Sequence, residues 1–236
     1  MLGAGRFRAV EDAWVELFRS GKLREPRERA RCAIVVAQAR ALGPLDARGA
    51  MVALLAALND PGWRALSPID LARANVVSTI AVTAPGRDLE VPAALARVLS
   101  RAGPALGRAM DPDLRALAAV AMLGGGVDLP DAGRVERFGG EVAIDLDGAV
   151  APVTRCLALE VRAAQREPSS RRLAERGVRL ARRIGFDAAD ARLSIALGES
   201  TPDPIERARA FESATAAIRR GGIAAAWLKD RARAAG

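Results

Sequence analysis

The sequence predicts an all-α protein, and three observations lead to this prediction. Helix start signals recur, because Ser or Asp before Pro offers an N-cap and a proline at the first helical position, as at Ser67-Pro68 and Asp203-Pro204. Stop signals are equally regular, and Gly43-Pro44 and Gly221-Gly222 are the clearest. Apolar residues recur between them at helical spacing, and the short links favour antiparallel helical hairpins.

These signals divide the chain into about eleven predicted helices. In the first of them Trp14, Leu17 and Phe18 share one face, and we expect Trp14, Trp63 and Trp227 to anchor the core. The predicted helices cover 9–20, 27–42, 46–59, 68–83, 90–102, 112–123, 149–166, 170–185, 188–198, 204–220 and 223–234.

One segment departs from the helical pattern. Residues 134–147 alternate in polarity around Gly139-Gly140, which is typical of a small β-hairpin with a tight turn; a short helix is the alternative. We therefore divide the chain into an N-terminal helical half at 1–127, a connector at 128–148 and a C-terminal helical half at 149–236.

Composition excludes several classes of enzyme. The chain of 236 residues contains no His, so Ser-His-Asp and Cys-His catalysis lack their general base. Its two cysteines, Cys32 and Cys156, are far apart and form no C-x-x-C pair, which argues against zinc and against a disulfide framework. The sequence therefore predicts no catalytic residue, no cofactor and no metal site, and it predicts two buried thiols in a reducing compartment.

The formal net charge is +8, and nearly all of the positive charge is arginine, because Lys22 and Lys229 are the only lysines. The excess lies towards the two ends of the chain. Heavy use of Arg and Ala is also typical of GC-rich genomes, so part of this charge reflects composition. No apolar run is long enough to cross a bilayer and the N-terminus lacks an apolar signal core, so we expect a cytoplasmic protein with no membrane partner.

A short acidic motif gives a third-ranked hypothesis. Residues Ala143–Val150 resemble the first motif of haloacid-dehalogenase-type phosphatases, and that resemblance implies a nucleophile and a Mg²⁺ ligand at Asp145 and Asp147. Ala149 stands where that family has Thr, and no α/β alternation follows. We therefore rank a Mg²⁺-dependent phosphatase last, and an acidic loop is the simpler interpretation.

A second resemblance covers the C-terminal half only. Counted from Ser170 as the first position of a 34-residue unit, large and small residues alternate where tetratricopeptide repeats place them. They are Leu173, Gly177, Leu180, Ala189, Leu193 and Ala196, at positions 4, 8, 11, 20, 24 and 27. A weaker second unit contributes Ala208, Phe211, Ala224 and Leu228, with departures at Glu212 and Arg231. The chain thus resembles a tetratricopeptide-like helical solenoid there, which implies protein–protein interaction.

The candidate binding residues are four arginines in the same segment. Arg172, Arg176, Arg179 and Arg183 follow one another at spacings of 4, 3 and 4 and form a stripe beside the apolar face, flanked by Arg171 and Arg182. We expect a non-catalytic scaffold, adaptor or regulatory subunit of a bacterial protein assembly that docks an acidic or extended protein segment. A nucleic-acid-binding protein that uses the same face is the alternative, and a solvated face interleaved with Glu167 and Glu175 is the simplest interpretation of the stripe.

Overall fold

The structure is a computed structural model of the chain. It describes residues 5–83, 113–114, 117–118, 132–137, 140–145, 149–164 and 169–233. Every regular element in these ranges is helical except one pair of short strands, which confirms the predicted all-α fold.

The N-terminal part begins with four α-helices. They are α1 (Phe7–Arg19), α2 (Pro26–Leu42), α3 (Ala47–Asn59) and α4 (Pro68–Thr83), with a short 3₁₀ helix at Pro61–Ala65 between the last two. Asp60 caps this 3₁₀ helix, because its carboxylate accepts a hydrogen bond from the Gly62 N–H at 2.8 Å.

The strands and the C-terminal helices follow. Strands β1 (Ala132–Arg137) and β2 (Gly140–Asp145) pair antiparallel, with Arg137 opposite Gly140, so the hairpin lies about where the alternation placed it but its link is residues 138 and 139. The five remaining helices are α5 (Pro152–Ala164), α6 (Ser170–Ile184), α7 (Asp187–Ser200), α8 (Pro204–Gly221) and α9 (Ala226–Arg233). The predicted helix at 90–102 lies outside the described residues, and only parts of the one at 112–123 are described.

Local capping chemistry explains why the helices begin where they do. Ser67 and Asp70 form a reciprocal capping box at the start of α4, in which the Asp70 carboxylate accepts from the Ser67 N–H at 3.2 Å and the Ser67 hydroxyl accepts from the Asp70 N–H at 3.2 Å. At α8 the Asp203 carboxylate accepts from the Ile205 N–H at 2.8 Å, with Pro204 at the first helical position. Both start signals are confirmed.

Two glycines end helices in the same way. Gly185 after α6 and Gly222 after α8 adopt left-handed backbone conformations, with φ of 71° and 57°. In each case the next residue donates its N–H back into the last turn, Phe186 to Ala181 at 2.9 Å and Ile223 to Ile218 at 3.2 Å. These are Schellman ends, and the residue after each glycine inserts into the core as a buried side chain.

The C-terminal helices pack as consecutive neighbours. Helix α6 packs against α5 and α7, and α7 packs against α8. Gly177 of α6 faces Leu193 of α7 so closely that a Cβ on Gly177 would lie 2.7 Å from a Leu193 methyl carbon, and Ala189 is fully buried. In the second predicted unit Phe211 and Leu228 are buried, whereas Ala208 and Ala224 are exposed and Ala224 precedes α9. In the first unit the small residues Gly177 and Ala189 are therefore buried, as the repeat pattern expects. In the second unit the small residues Ala208 and Ala224 are not.

Residues from both ends of the chain share one core. A single cluster of buried side chains includes Phe7 and Leu42 together with the buried residues of α5 to α9. The rings of Phe7 and Phe186 lie 5.0 Å apart, and the Ala224 N–H donates to the Pro44 carbonyl at 2.8 Å. This last contact lies in the link before α9, so the predicted helix at 223–234 begins later, at Ala226. A second cluster lies among α2, α3 and α4.

The tryptophans lie at the edge of this core rather than inside it. Trp14, Trp63 and Trp227 are all half-buried, and Trp14 and Trp227 pack against the two buried clusters. Trp63 instead has the guanidinium of Arg64 5.8 Å from its ring centre.

Candidate functional site: an arginine stripe on α6

Helix α6 has one apolar face and one cationic face. Its buried residues are Ala174, Gly177, Val178 and Ala181, which pack towards α5 and α7. The four predicted binding residues Arg172, Arg176, Arg179 and Arg183 are all exposed. They span eleven residue steps of helix, so the stripe is roughly 16 Å long at the rise of an α-helix.

None of the four arginines of this stripe forms an ion pair within the described part of the chain. The neighbouring carboxylate of Glu175 is held by Arg171 at 3.2 Å, and the same Arg171 also donates to Glu206 of α8 at 2.9 Å. Glu167, the other acidic neighbour considered, lies outside the described residues. Glu175 therefore pairs with Arg171 rather than with an arginine of the stripe, and a solvated face is still the simplest interpretation of these four exposed residues.

The flanking arginine Arg182 belongs to a different structure. It donates from Nε to Asp190 at 3.2 Å and also reaches the Ser213 hydroxyl of α8. Arg220 of α8 donates to Oδ2 of Asp190 at 2.9 Å, and the Ser194 hydroxyl donates to Oδ1 at 3.2 Å. Asp190 is only 1% exposed, so this carboxylate links α6, α7 and α8 from inside the molecule. Arg182 is therefore a structural residue.

Most other arginines of the C-terminal helices are also engaged. Arg192 pairs with Glu160 at 2.9 Å, Arg231 pairs with Glu199 at 2.6 Å, and Arg207 donates to the Thr201 carbonyl at 3.1 Å. Further exposed arginines without a described carboxylate partner, such as Arg155 and Arg209, are not neighbours of one another on a helix face. In the described chain, α6 is the helix whose face carries a continuous row of them.

The chemistry of such a row of guanidinium groups is compatible with anionic groups. Each guanidinium presents a planar fork of N–H donors that matches a carboxylate or a phosphate, and it stays charged at any physiological pH. Since the four guanidinium groups are exposed, they attract negatively charged groups through the solvent. The water molecules around them are easily displaced. The arrangement suits recognition of a negatively charged segment and offers no group that could act as an acid, base or nucleophile.

The cysteines are not reactive groups. Cys156 is buried on α5 beside the Gly177 carbonyl, and burial, with the Glu160 carboxylate second, raises the pKa of its thiol to about 12. Cys32 is half-buried, and burial raises its pKa as well. Both thiols are therefore protonated at neutral pH, and Cys156 fits the predicted role of a small apolar core residue.

The acidic motif receives little support from the structure. Asp145 is the last residue of β2 in a two-stranded antiparallel hairpin, not of a strand in a parallel sheet, and Asp147 lies outside the described residues. Within the described ranges, acidic and thiol side chains form no group of three or more that could hold a metal ion.

Sequence reasoning missed two features that shape this region. One is Asp190, whose two arginine partners lie on other helices, so only its place in the first turn of a helix could have marked it. The other is Gly198 of α7, where a Cβ would lie 2.8 Å from the Phe211 ring. A glycine inside a predicted helix was the available signal, because glycine there usually has a packing reason.

The described chain is thus an all-α protein with a cationic helix face. No protein-family model matches it, and comparisons with curated proteins and with solved structures find no match. Among the helices that the structure describes, none combines the length and apolar character needed to span a lipid bilayer.

Proposed function

We propose that this protein is a non-catalytic scaffold, adaptor or regulatory subunit of a bacterial protein assembly, with tetratricopeptide-like helical hairpins in its C-terminal half. It docks an acidic, extended segment of a partner protein along Arg172, Arg176, Arg179 and Arg183. The observation that carries the proposal is that these four exposed arginines have no ion-pair partner in the described chain, while their nearest neighbours do.

Packing against neighbouring helices holds the arginine stripe in a fixed position. Helix α6 packs against α5 and α7, and two contacts fix it to α7: Gly177 lies against Leu193, and Arg182 pairs with Asp190. A stripe on a fixed helix loses little conformational freedom when a partner binds, apart from that of the arginine side chains themselves. An extended peptide advances about 3.3 Å per residue, so roughly five residues of partner would cover the stripe.

Nucleic acid is the second candidate, because the same guanidinium groups pair with phosphates. We rank it lower, since the chain has no Tyr and only two lysines, and aromatic side chains for base stacking are 3% of the residues. Without stacking or base contacts, binding to a phosphate backbone would be weak and independent of sequence.

Binding of two labelled probes to the full chain tests the proposal. One is an acidic peptide of about 10 residues, and the other is a mixed-sequence DNA duplex of about 20 base pairs, each followed by fluorescence anisotropy at several salt concentrations. We expect the peptide to bind at physiological salt and the double variant Arg176→Glu/Arg179→Glu to weaken it by at least about tenfold.

A matched variant separates the effect of the stripe on peptide binding from the effect of the protein's net charge. Arg48→Glu/Arg209→Glu reverses two exposed, unpaired arginines elsewhere and, like the stripe variant, changes the charge by 4, from +8 to +4. We expect it to change peptide affinity less than about threefold. Equal losses in both variants would show that net charge alone binds the peptide. Tighter duplex binding, with a salt slope about 2 smaller in the stripe variant, would favour nucleic acid.

A further inference from the structure

A cleft lies at the end of α8, at the C-terminal end of the described chain. It has a volume of about 470 Å³ and is formed by the last turns of α8, the link after it and α9. Its walls include the apolar side chains of Ile218, Ile223 and Ala232, each less than 10% exposed. This size falls within the usual range for small-ligand sites.

The rim of this cleft is cationic. Arg219 of α8 and Lys229 of α9 line it, and neither forms an ion pair within the described residues. Arg233, which also lines it, has Asp230 at 3.5 Å, but both side chains are more than 70% exposed, so this pair is weak. Lys229 is half-buried, which makes its charge less screened than that of a freely exposed lysine.

A fourth cation reaches the same place from the other end of the chain. A terminal guanidinium nitrogen of Arg8 on α1 lies 2.5 Å from where a Cβ of Gly222 would be, and Gly222 lines the cleft. Arg8 likewise forms no ion pair among the described residues. Arg8 therefore lies beside Gly222 at the edge of the cleft, although the lining itself comes from α8, α9 and the link between them.

We propose that this cleft binds a small oxyanion that carries a short apolar tail. The carboxylate or phosphate group would lie between Arg219 and Lys229, whose N–H donors match its oxygens, and the tail would pack on Ile218 and Ile223. The apolar wall distinguishes this site from the stripe on α6, whose arginines are all exposed. It is a second site, independent of the proposed partner surface.

Calorimetric titration of the full chain with hexyl phosphate, hexanoate and inorganic phosphate tests the site. We expect one-to-one binding of an amphiphile, with inorganic phosphate at least about tenfold weaker because it cannot use the wall. The tighter of the two amphiphiles identifies phosphate or carboxylate as the preferred group. Arg219→Gln/Lys229→Gln should weaken binding by at least about tenfold, since two charged hydrogen-bond donors are lost.

The control is Arg48→Gln/Arg209→Gln, which removes the same charge from exposed positions elsewhere and should leave affinity within about twofold. The stripe variant Arg176→Glu/Arg179→Glu should also keep amphiphile binding, so failure of the partner proposal would not affect this one. The single variant Lys229→Gln is measured as well. Weaker amphiphile binding at an unchanged melting temperature would show that the loss does not come from a folding defect. Equal binding of inorganic phosphate, or an equal loss in the control, would overturn the proposal.

Discussion

At the scale of single residues, Gly177 is where α6 has no room for a side chain. A Cβ there would lie 2.7 Å and 3.0 Å from the two methyl carbons of Leu193, which is itself fully buried. We expect Gly177→Leu to lower the free energy of unfolding by about 1–3 kcal/mol, because the added side chain overpacks this helix contact. Chemical denaturation of the two proteins measures the difference.

The control for this substitution is Ala216→Leu, which adds a leucine at an exposed position of α8. We expect its free energy of unfolding to stay within about 0.5 kcal/mol of that of the wild type. An equal stability of Gly177→Leu and wild type would contradict the contact with Leu193 and, with it, the predicted register of the first tetratricopeptide-like unit.

Cys156 gives a second prediction at this scale. Its thiol is buried and its pKa is raised to about 12, so the reactive thiolate is scarce at neutral pH. In Cys32→Ser, which leaves Cys156 as the one thiol, we expect modification by a disulfide reagent to be no faster than global unfolding. Rapid modification in native buffer, at a rate unaffected by stabilising conditions, would show that α5 opens locally at this residue.

At the scale of secondary-structure elements, Asp190 joins three helices. Its buried carboxylate accepts from Arg182 of α6 and Arg220 of α8, both of which are about half exposed. We expect Asp190→Asn to cost roughly 1.5–3 kcal/mol of unfolding free energy, since charged hydrogen bonds are lost and two arginines are left near each other. The exposure of the arginines keeps the cost below that of a fully buried pair.

Asp230→Asn is the matched control, because Asp230 pairs with Arg233 at a fully exposed site. We expect its effect to stay below about 0.5 kcal/mol. Thermal melts of both variants at low and high salt distinguish the two pairs. A loss in Asp190→Asn no larger than in Asp230→Asn would mean that the Asp190 carboxylate adds nothing measurable to the packing of α6, α7 and α8.

The elements also show what a sequence can reveal. Helix boundaries were predictable within a few residues at α4 and α8, because Ser67, Asp70 and Asp203 cap their own helices through local hydrogen bonds. The exposed stripe followed from spacing alone. Asp190, Gly198 and the cleft at α8 did not, because each depends on which helices become neighbours, and that is decided by long-range packing.

At the scale of the whole molecule, the arginines fall into two groups, those paired with carboxylates and those without a described partner. Arginines that face other helices are neutralised by carboxylates, as Arg192 is by Glu160 and Arg220 by Asp187 and Asp190. The four of the α6 stripe, and Arg219 at the α8 cleft, have no carboxylate partner among the described residues. Part of the positive charge is therefore concentrated on one exposed helix face.

The two ends of the chain also meet in one core, which bears on the predicted division at 1–127, 128–148 and 149–236. Phe7 is 7% exposed and packs against the fully buried Phe186, while Pro44 accepts a hydrogen bond from Ala224. A shared core of this kind couples the stability of the segments that build it.

We therefore expect the N-terminal and C-terminal helices to unfold together. Trp227→Phe leaves Trp14 and Trp63 as reporters of the N-terminal helices, and Trp14→Phe/Trp63→Phe leaves Trp227 as the reporter of the C-terminal ones. Fluorescence-detected urea unfolding, with far-UV circular dichroism as the check on each protein, should give coincident midpoints for both probes. Phe7→Ala should lower the free energy of unfolding by about 3–5 kcal/mol, because removal of the ring leaves a cavity between segments from both ends of the chain. Both midpoints should therefore shift down by the same amount. A shift seen only by the N-terminal reporters would mean that the two halves are independent domains and that the contact between Phe7 and Phe186 adds little to the stability of the second.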